Sequence, residues 1–232
     1  MIVFDGVSIG SVANVMVEDI KVSPIQLSPV VRPRAIRFGS EFVRMGGGTR
    51  NVVITFALLE KNQVARHEAL LNLSQWAKTD MELMLELPQD PLRFLQCVCT
   101  GKPEPSTRAW WENKLRLTFT CYSNPYWTSK KEKSVACGTA FYAIGDAPPL
   151  LQVRRTLSSA ASNQSYGDGF NTMTFTTIPA GDLVIDANKQ TAAIGSTSIM
   201  QYYQPAGSFI VPRTGGQTIT GTGTVYYRER WE

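Results

Sequence analysis

Apolar and polar positions alternate along this chain in short bursts, and most of its hydrophobic stretches are strand-length. Val3, Phe4, Val7 and Ile9 flank Asp5-Gly6, a pair that favours a tight hairpin turn between two short strands. Val15, Val17 and Asp19 alternate with Met16, Glu18 and Ile20, the period of a strand with one buried face. Pro24, Pro29 and Pro33 then interrupt the pattern and predict an extended arm or loop over residues 23–36. Gly46-Gly47-Gly48 reads as a flexible turn, and residues 51–59, rich in β-branched side chains, as a buried strand. One helix is predicted over about residues 61–78. That stretch lacks Gly and Pro, and His67, Leu70, Leu73 and Trp76 recur every third position, widened by Leu71 and Ala77. Strands follow over 81–87, 92–100 and 114–122, punctuated by Pro88, Pro91, Gly101, Pro103 and Pro105.

The remaining chain shows no helical period. Short strands are predicted over 139–144, 150–156, 171–178, 183–186, 191–194, 208–211 and 217–230, with a polar loop running from Ser158 through Gly167-Asp168-Gly169. Strands at this spacing suggest a sandwich or jelly roll. The fold class expected is mainly β, as two β-sandwich domains, the first carrying the helix and the extended arm.

Charge supports the division. Residues 1–133 hold 17 Lys+Arg and 13 Asp+Glu, whereas residues 134–232 hold six of each, so the net charge of +4 lies wholly in the first part. Domains are therefore expected over 1–133 and 134–232, with the join near Asn124-Pro125-Tyr126-Trp127 and the basic run Lys130-Lys131-Glu132-Lys133. The excess is too small for a dedicated nucleic-acid binder. No apolar run reaches the length of a membrane span, the longest being residues 52–59, so no membrane insertion is expected. The first basic residue is Lys21, which does not fit the charged start of a signal peptide. Four cysteines are too few for a disulfide scaffold and suggest synthesis in a reducing compartment.

Candidate chemistry is sparse. Cys97 and Cys99 share a strand face, and Cys121 and Cys137 could complete four sulfurs, but two ligands at i and i+2 do not match a zinc knuckle. His67, the single histidine, sits inside the helical pattern, with no nucleophile elbow or phosphate-binding glycine loop elsewhere. Asp182 and Asp186 flank a strand and read as turn residues, the latter with Asn188. No catalytic, cofactor-binding or metal site is therefore expected. Tyr166, Tyr202 and Tyr203, with Phe170, lie in or near loops and are weak candidates for stacking on a sugar ring; filling a core or an interface is the simpler use of such rings. Arg32, Arg34, Arg37, Arg44 and Arg50 face only Glu41 in the same stretch and are candidates for contacts between subunits.

The order of motifs resembles the distal tail proteins of long-tailed, non-contractile bacteriophages and related prophages. The resemblance rests on Phe4-Asp5-Gly6-Val7, on residues 46–56 (GGGTRNVVITF), on the helix with Leu70, Leu73 and Trp76, and on residues 119–127 (FTCYSNPYW). In the second part it rests on Gly145-Asp146-Ala147-Pro148-Pro149, on Leu183-Val184-Ile185-Asp186 and on residues 226–231 (YYRERW). It implies a non-enzymatic virion component, made in the host cytoplasm and placed at the tail tip. It implies an N-terminal domain forming a homo-hexameric ring and a galectin-like C-terminal sandwich. It further implies that the ring joins the tail tube protein to the tail-tip protein or baseplate, can carry receptor-binding proteins, and lets DNA pass without specific binding. The chain has no room for the large inserted modules of sugar-binding members. The alternative class is a carbohydrate-binding module recognising a cell-surface polysaccharide.

Overall fold

The computed structural model describes residues 1–33, 40–101, 104–105, 114–204 and 207–232, with side chains described outside 28–47 and 104–105. The chain divides into two compact units, Met1–Trp127 with Glu232, and Thr128–Trp231. The architecture is mainly β throughout, as the alternation requires.

In the first unit, β1 (Val3–Phe4) and β2 (Val7–Ser8) form the hairpin expected from Asp5-Gly6, both residues taking positive φ. Ile9 does not continue β2. It opens a one-turn helix α1 (Ile9–Val12), because the Ser8 hydroxyl accepts from the Gly10 N–H and caps it. Next come β3 (Val15–Val22), β4 (Gln26–Pro33) and the 19-residue β5 (Ser40–Leu58). Helix α2 (Gln63–Ala77) starts where the Asn62 side chain accepts from the Ala65 N–H at 2.7 Å. Its buried stripe is Ala69, Leu73 and Ala77, with Leu70 and Trp76 half-buried; His67 and Leu71 are exposed. β6 (Leu83–Glu86), β7 (Arg93–Cys99), β8 (Glu104–Pro105) and β9 (Lys114–Cys121) complete this unit.

Two sheets result, β2-β1-β6-β7 and β3-β5-β9, joined where β7 pairs with β9. Val52, Ile54, Phe56 and Leu58 of β5 point into a core shared with Leu115, Leu117 and Phe119 of β9 and Leu73 of α2. Phe4, Trp76 and Phe119 meet edge-to-face at its centre, with ring centroids 5.1–6.3 Å apart. The Trp76 indole N–H donates to the Val7 carbonyl at 3.1 Å, which fixes the helix on the opening hairpin.

Two expectations for this unit need correction. Gly46-Gly47-Gly48 is not a turn but the middle of β5. The glycine serves a close approach instead: a Cβ on Gly48 would stand 2.2 Å from Ile25 Cγ2. Of the three prolines, only Pro24 falls in a break, between β3 and β4. Pro29 and Pro33 lie within β4, which tolerates them because its register shifts nearby and, among the described residues, only one of its edges is paired.

The second unit begins within β10 (Trp127–Ser129) and continues with β11 (Lys133–Ala136), β12 (Ala140–Ala143) and β13 (Ala147–Leu157). β14 (Ala161–Gly167), β15 (Thr172–Ile178), β16 (Gly181–Asp186), β17 (Thr191–Ile194) and β18 (Thr197–Ser198) follow, then β19 (Gly215–Thr218) and β20 (Thr224–Trp231). One antiparallel sheet runs β18-β17-β16-β13-β20-β11. Hairpin β14–β15 and ladder β12–β19 are linked by a bridge from Gly167 to Thr220. Leu151, Val153, Ile185 and Val225 from the sheet and Tyr166, Met173, Phe175 and Ile219 from the hairpin and the β19–β20 turn share one core.

The polar stretch after Ser158 is thus a strand, not a loop. Its outward positions are polar, and pairing along Thr172–Ile178 supplies the order that its composition conceals. Residues 208–211 are not a strand, and residues 217–230 are two strands, because Gly221 and Gly223 take positive φ between them.

The basic run before β11 is tied to this unit. Glu132 accepts a fork of hydrogen bonds from Arg154 at 3.1 and 3.2 Å, and Lys133 meets the buried Glu229 carboxylate at 2.7 Å. Arg228 donates to the Ser129 and Lys130 carbonyls.

Candidate functional site

The β4–β5 ribbon continues beyond the sheet that anchors it. From Val52 to Ala57, β5 is held on both sides, by β3 and by β9. From Thr49 back to Ser40 it pairs, among the described residues, with β4 alone. Ten residues at about 3.4 Å each extend the ribbon roughly 34 Å past the three-stranded sheet. Its root is pinned: the Asn51 N–H donates to the Ser23 hydroxyl at 2.9 Å, and the Ser23 N–H to the Asn51 carbonyl at 2.8 Å. Asn51 Oδ1 also accepts from the Thr120 hydroxyl, which lies 3.0 Å from that of Thr100. A two-stranded ribbon is marginal in water by itself and gains stability from a third surface.

Three of the five candidate arginines, Arg32, Arg44 and Arg50, fall on β4 and β5. Arg32 stands opposite Glu41 and Arg44 opposite Val30 in the register. Arg34 and Arg37 lie outside the described residues. Arg50 departs from the expectation of a subunit contact. It shares the inward register of Val52 and Ile54, stands opposite Cys121 and is 4% exposed, so its guanidinium is not offered to a neighbour.

The tyrosines gather around one core rather than on a ledge. Tyr166 is fully buried, and a Cβ on Gly221 would come within 2.5 Å of its ring. Tyr203 packs between Phe175 and Phe209, both at 6.0 Å, and its hydroxyl donates to the Gly207 carbonyl. Tyr202 is half-buried against the same cluster. Phe170, by contrast, is 80% exposed at the β14–β15 turn, with the Arg213 guanidinium 3.8 Å from its ring centroid.

That turn is built by Asp168, whose role the sequence disguised as a lone carboxylate between glycines. It is 8% exposed. Oδ1 accepts from the Phe170 and Asn171 N–H groups, and Oδ2 from Asn171 Nδ2 and the Val211 N–H, all within 3.0 Å. Burial works to raise its pKa, but the Asn171 side chain and the three backbone donors outweigh it and hold the carboxyl at about 2. The Asp-Gly-Phe-Asn order, an Asx-turn pattern, was the available signal. Asp186 also makes a turn, accepting from the Asn188 and Lys189 N–H groups, while Asn188 Oδ1 is taken by the Leu151 N–H. Asp182 accepts from the Thr156 hydroxyl at 2.6 Å. No group of three or more potential metal ligands occurs among the described residues.

No protein-family model and no curated protein sequence matches the chain. Among solved structures, the crystal structure of SPP1 Dit (gp 19.1), described as a paradigm of the hub adsorption apparatus in phages infecting Gram-positive hosts, superposes with a TM-score of 0.73. The match covers 100% of this chain and 98% of that one at 14% identity. The chain has the fold of a phage distal tail protein. Two structures of the phage p2 baseplate in its activated conformation, with strontium and with calcium, align at TM-score 0.46 and 8% identity over 94% of this chain and 91% of theirs. The distal-tail fold accounts for the whole length, both units included.

Proposed function

We propose that this protein is a structural component of a phage tail tip, a distal tail protein whose N-terminal unit assembles into a closed ring. The observation carrying this reading is the whole-chain likeness to SPP1 Dit, with almost no part of either chain left over. The ribbon supports it: a contact that reaches from one copy onto a different patch of the next is heterologous and closes when the rotation allows. Six-fold closure follows from the resemblance. On this reading the ring joins the tail tube protein to the tail-tip protein or baseplate, carries receptor-binding proteins outside, and passes DNA through its channel without binding it. The second unit is then the galectin-like outer domain. The rival reading, a carbohydrate-binding module, rests on Tyr166, Tyr202 and Tyr203, whose rings pack against the core, and on Phe170, which is exposed.

Light scattering on purified protein tests this. A ring-sized species is expected at micromolar concentration, and negative-stain images are expected to show it. Arg34→Ala and Arg37→Ala should weaken the ring, whereas Phe170→Ala should leave it intact. Normal rings with reduced DNA affinity in the arginine variants would mean that this basic stretch of sequence contacts nucleic acid instead.

The second unit is further proposed to fold alone. A fragment beginning at Thr128 keeps β11 and the Glu132–Arg154 and Lys133–Glu229 pairs, and a cooperative melt is expected from it. A fragment beginning at residue 138 loses all of these and should melt lower. Absence of any cooperative transition in the longer fragment would place the boundary elsewhere.

A further inference from the structure

We propose that Cys97 and Cys121 form a redox-modifiable dithiol in the first unit, able to close into a cross-strand disulfide between β7 and β9. The register carries the proposal. Val98 stands opposite Thr120 and Cys99 opposite Phe119, so the next step along the same antiparallel ladder opposes Cys97 to Cys121. Directly opposed residues of such a ladder have Cα atoms about 4.5–5.5 Å apart, inside the roughly 4.4–6.8 Å window of a disulfide. Both side chains turn into the core and are fully buried. The neighbouring Cys121 thiol, with burial, pushes the Cys97 thiol far above its ordinary range. They are free thiols in this structure.

Cys99 and Cys137 are different. Both are partly exposed, and neither has a thiol opposite it: Cys99 donates to the Gly101 carbonyl at 3.1 Å, and Cys137 lies in the second unit. The chain therefore has two accessible cysteines and one sequestered pair.

The chemistry needs an oxidant, here a low-molecular-weight disulfide such as oxidised glutathione. One thiolate of the pair attacks the reagent's S–S bond, giving a mixed disulfide and releasing one thiolate that takes up a proton. The second protein thiol loses its proton, attacks the mixed disulfide at the protein sulfur and expels the second glutathione thiol. The pair is oxidised by two electrons, and the reagent is reduced to two thiols. Burial of both thiols and the raised pKa of Cys97 slow the exchange in the closed sheet, so the rate is set by local opening. Once one sulfur is capped, the partner's position makes closure faster than a second capping. β7 is the strand shared by the two sheets, and the bond would fasten it to β9.

The test uses the full chain incubated with oxidised glutathione, then denatured, alkylated and read by mass spectrometry with tryptic mapping. The expected product is a cross-link joining Cys97 to Cys121, with those two thiols lost to alkylation and a raised melting temperature. Cys99→Ser should leave the cross-link, and Cys97→Ser and Cys121→Ser should each abolish it. Before oxidation, a bulky thiol reagent should label Cys99 and Cys137 and spare the pair. A cross-link that runs through Cys99, or persists in Cys97→Ser, overturns the assignment. So does a pair that stays reduced, or ends as separate glutathione adducts, in folded protein under conditions that oxidise a dithiol peptide.

Discussion

Phe119→Ala is expected to destabilise the first unit by about 3–5 kcal/mol. The ring is fully buried, points from β9 into the core, and touches Phe4 and Trp76 edge-to-face at centroid distances of 5.1 and 6.3 Å. Truncation removes both ring contacts and leaves a cavity between the opening hairpin, helix α2 and the sheet, three elements that cannot collapse together without breaking pairings. A domain of this size is stable by roughly 5–15 kcal/mol in all, so the loss is a large share of it. Urea denaturation followed by tryptophan fluorescence would read the shift in midpoint. Leu71→Ala, on the exposed side of α2, serves as the comparison and should cost well under about 1 kcal/mol. Equal costs for the two variants would mean that the helix packs by a different face.

Asp168→Ala is expected to cost the second unit about 2–4 kcal/mol at neutral pH, since it strands four donors at a nearly closed turn. The effect should depend on pH. The folded carboxyl is held at about 2, below its ordinary 3.8, so it stabilises the fold fully above the ordinary value and progressively less as pH falls through the folded one. That linkage amounts to something on the order of 2 kcal/mol. Denaturant midpoints of wild type and variant should therefore lie furthest apart near neutral pH and converge toward about pH 2. A gap that stays constant with pH would show that packing, not charge, accounts for the loss. Asp168→Asn keeps one acceptor oxygen but sets its amide hydrogens against one of the present donors, and should fall between.

The local pattern decided a good deal of this protein. The Asp-Gly hairpin, the helix with Leu73 and Trp76, and the alternating strands 51–58 and 114–121 are legible because each is fixed by a period, a cap or a turn residue within a few positions. The same holds for the mainly β class and the charge-poor second part. Other features were settled by partners distant in sequence. Gly46–Gly48 became strand because β4 lies alongside, and Ala161–Gly167 became strand because Thr172–Ile178 pairs with it, though neither stretch has strand composition. Arg50 was separated from the other arginines by facing: a period of two turns it inward beside Val52, which no count of charges reveals. Tyr166 and Phe170, four residues apart, ended fully buried and largely exposed because a hairpin turn falls between them. Asp168 acquired its low pKa partly from Val211, 43 positions away. Sequence determines what a segment prefers by itself; burial, facing and long-range hydrogen bonds exist only once the sheets have closed, since each needs a second surface the segment does not contain.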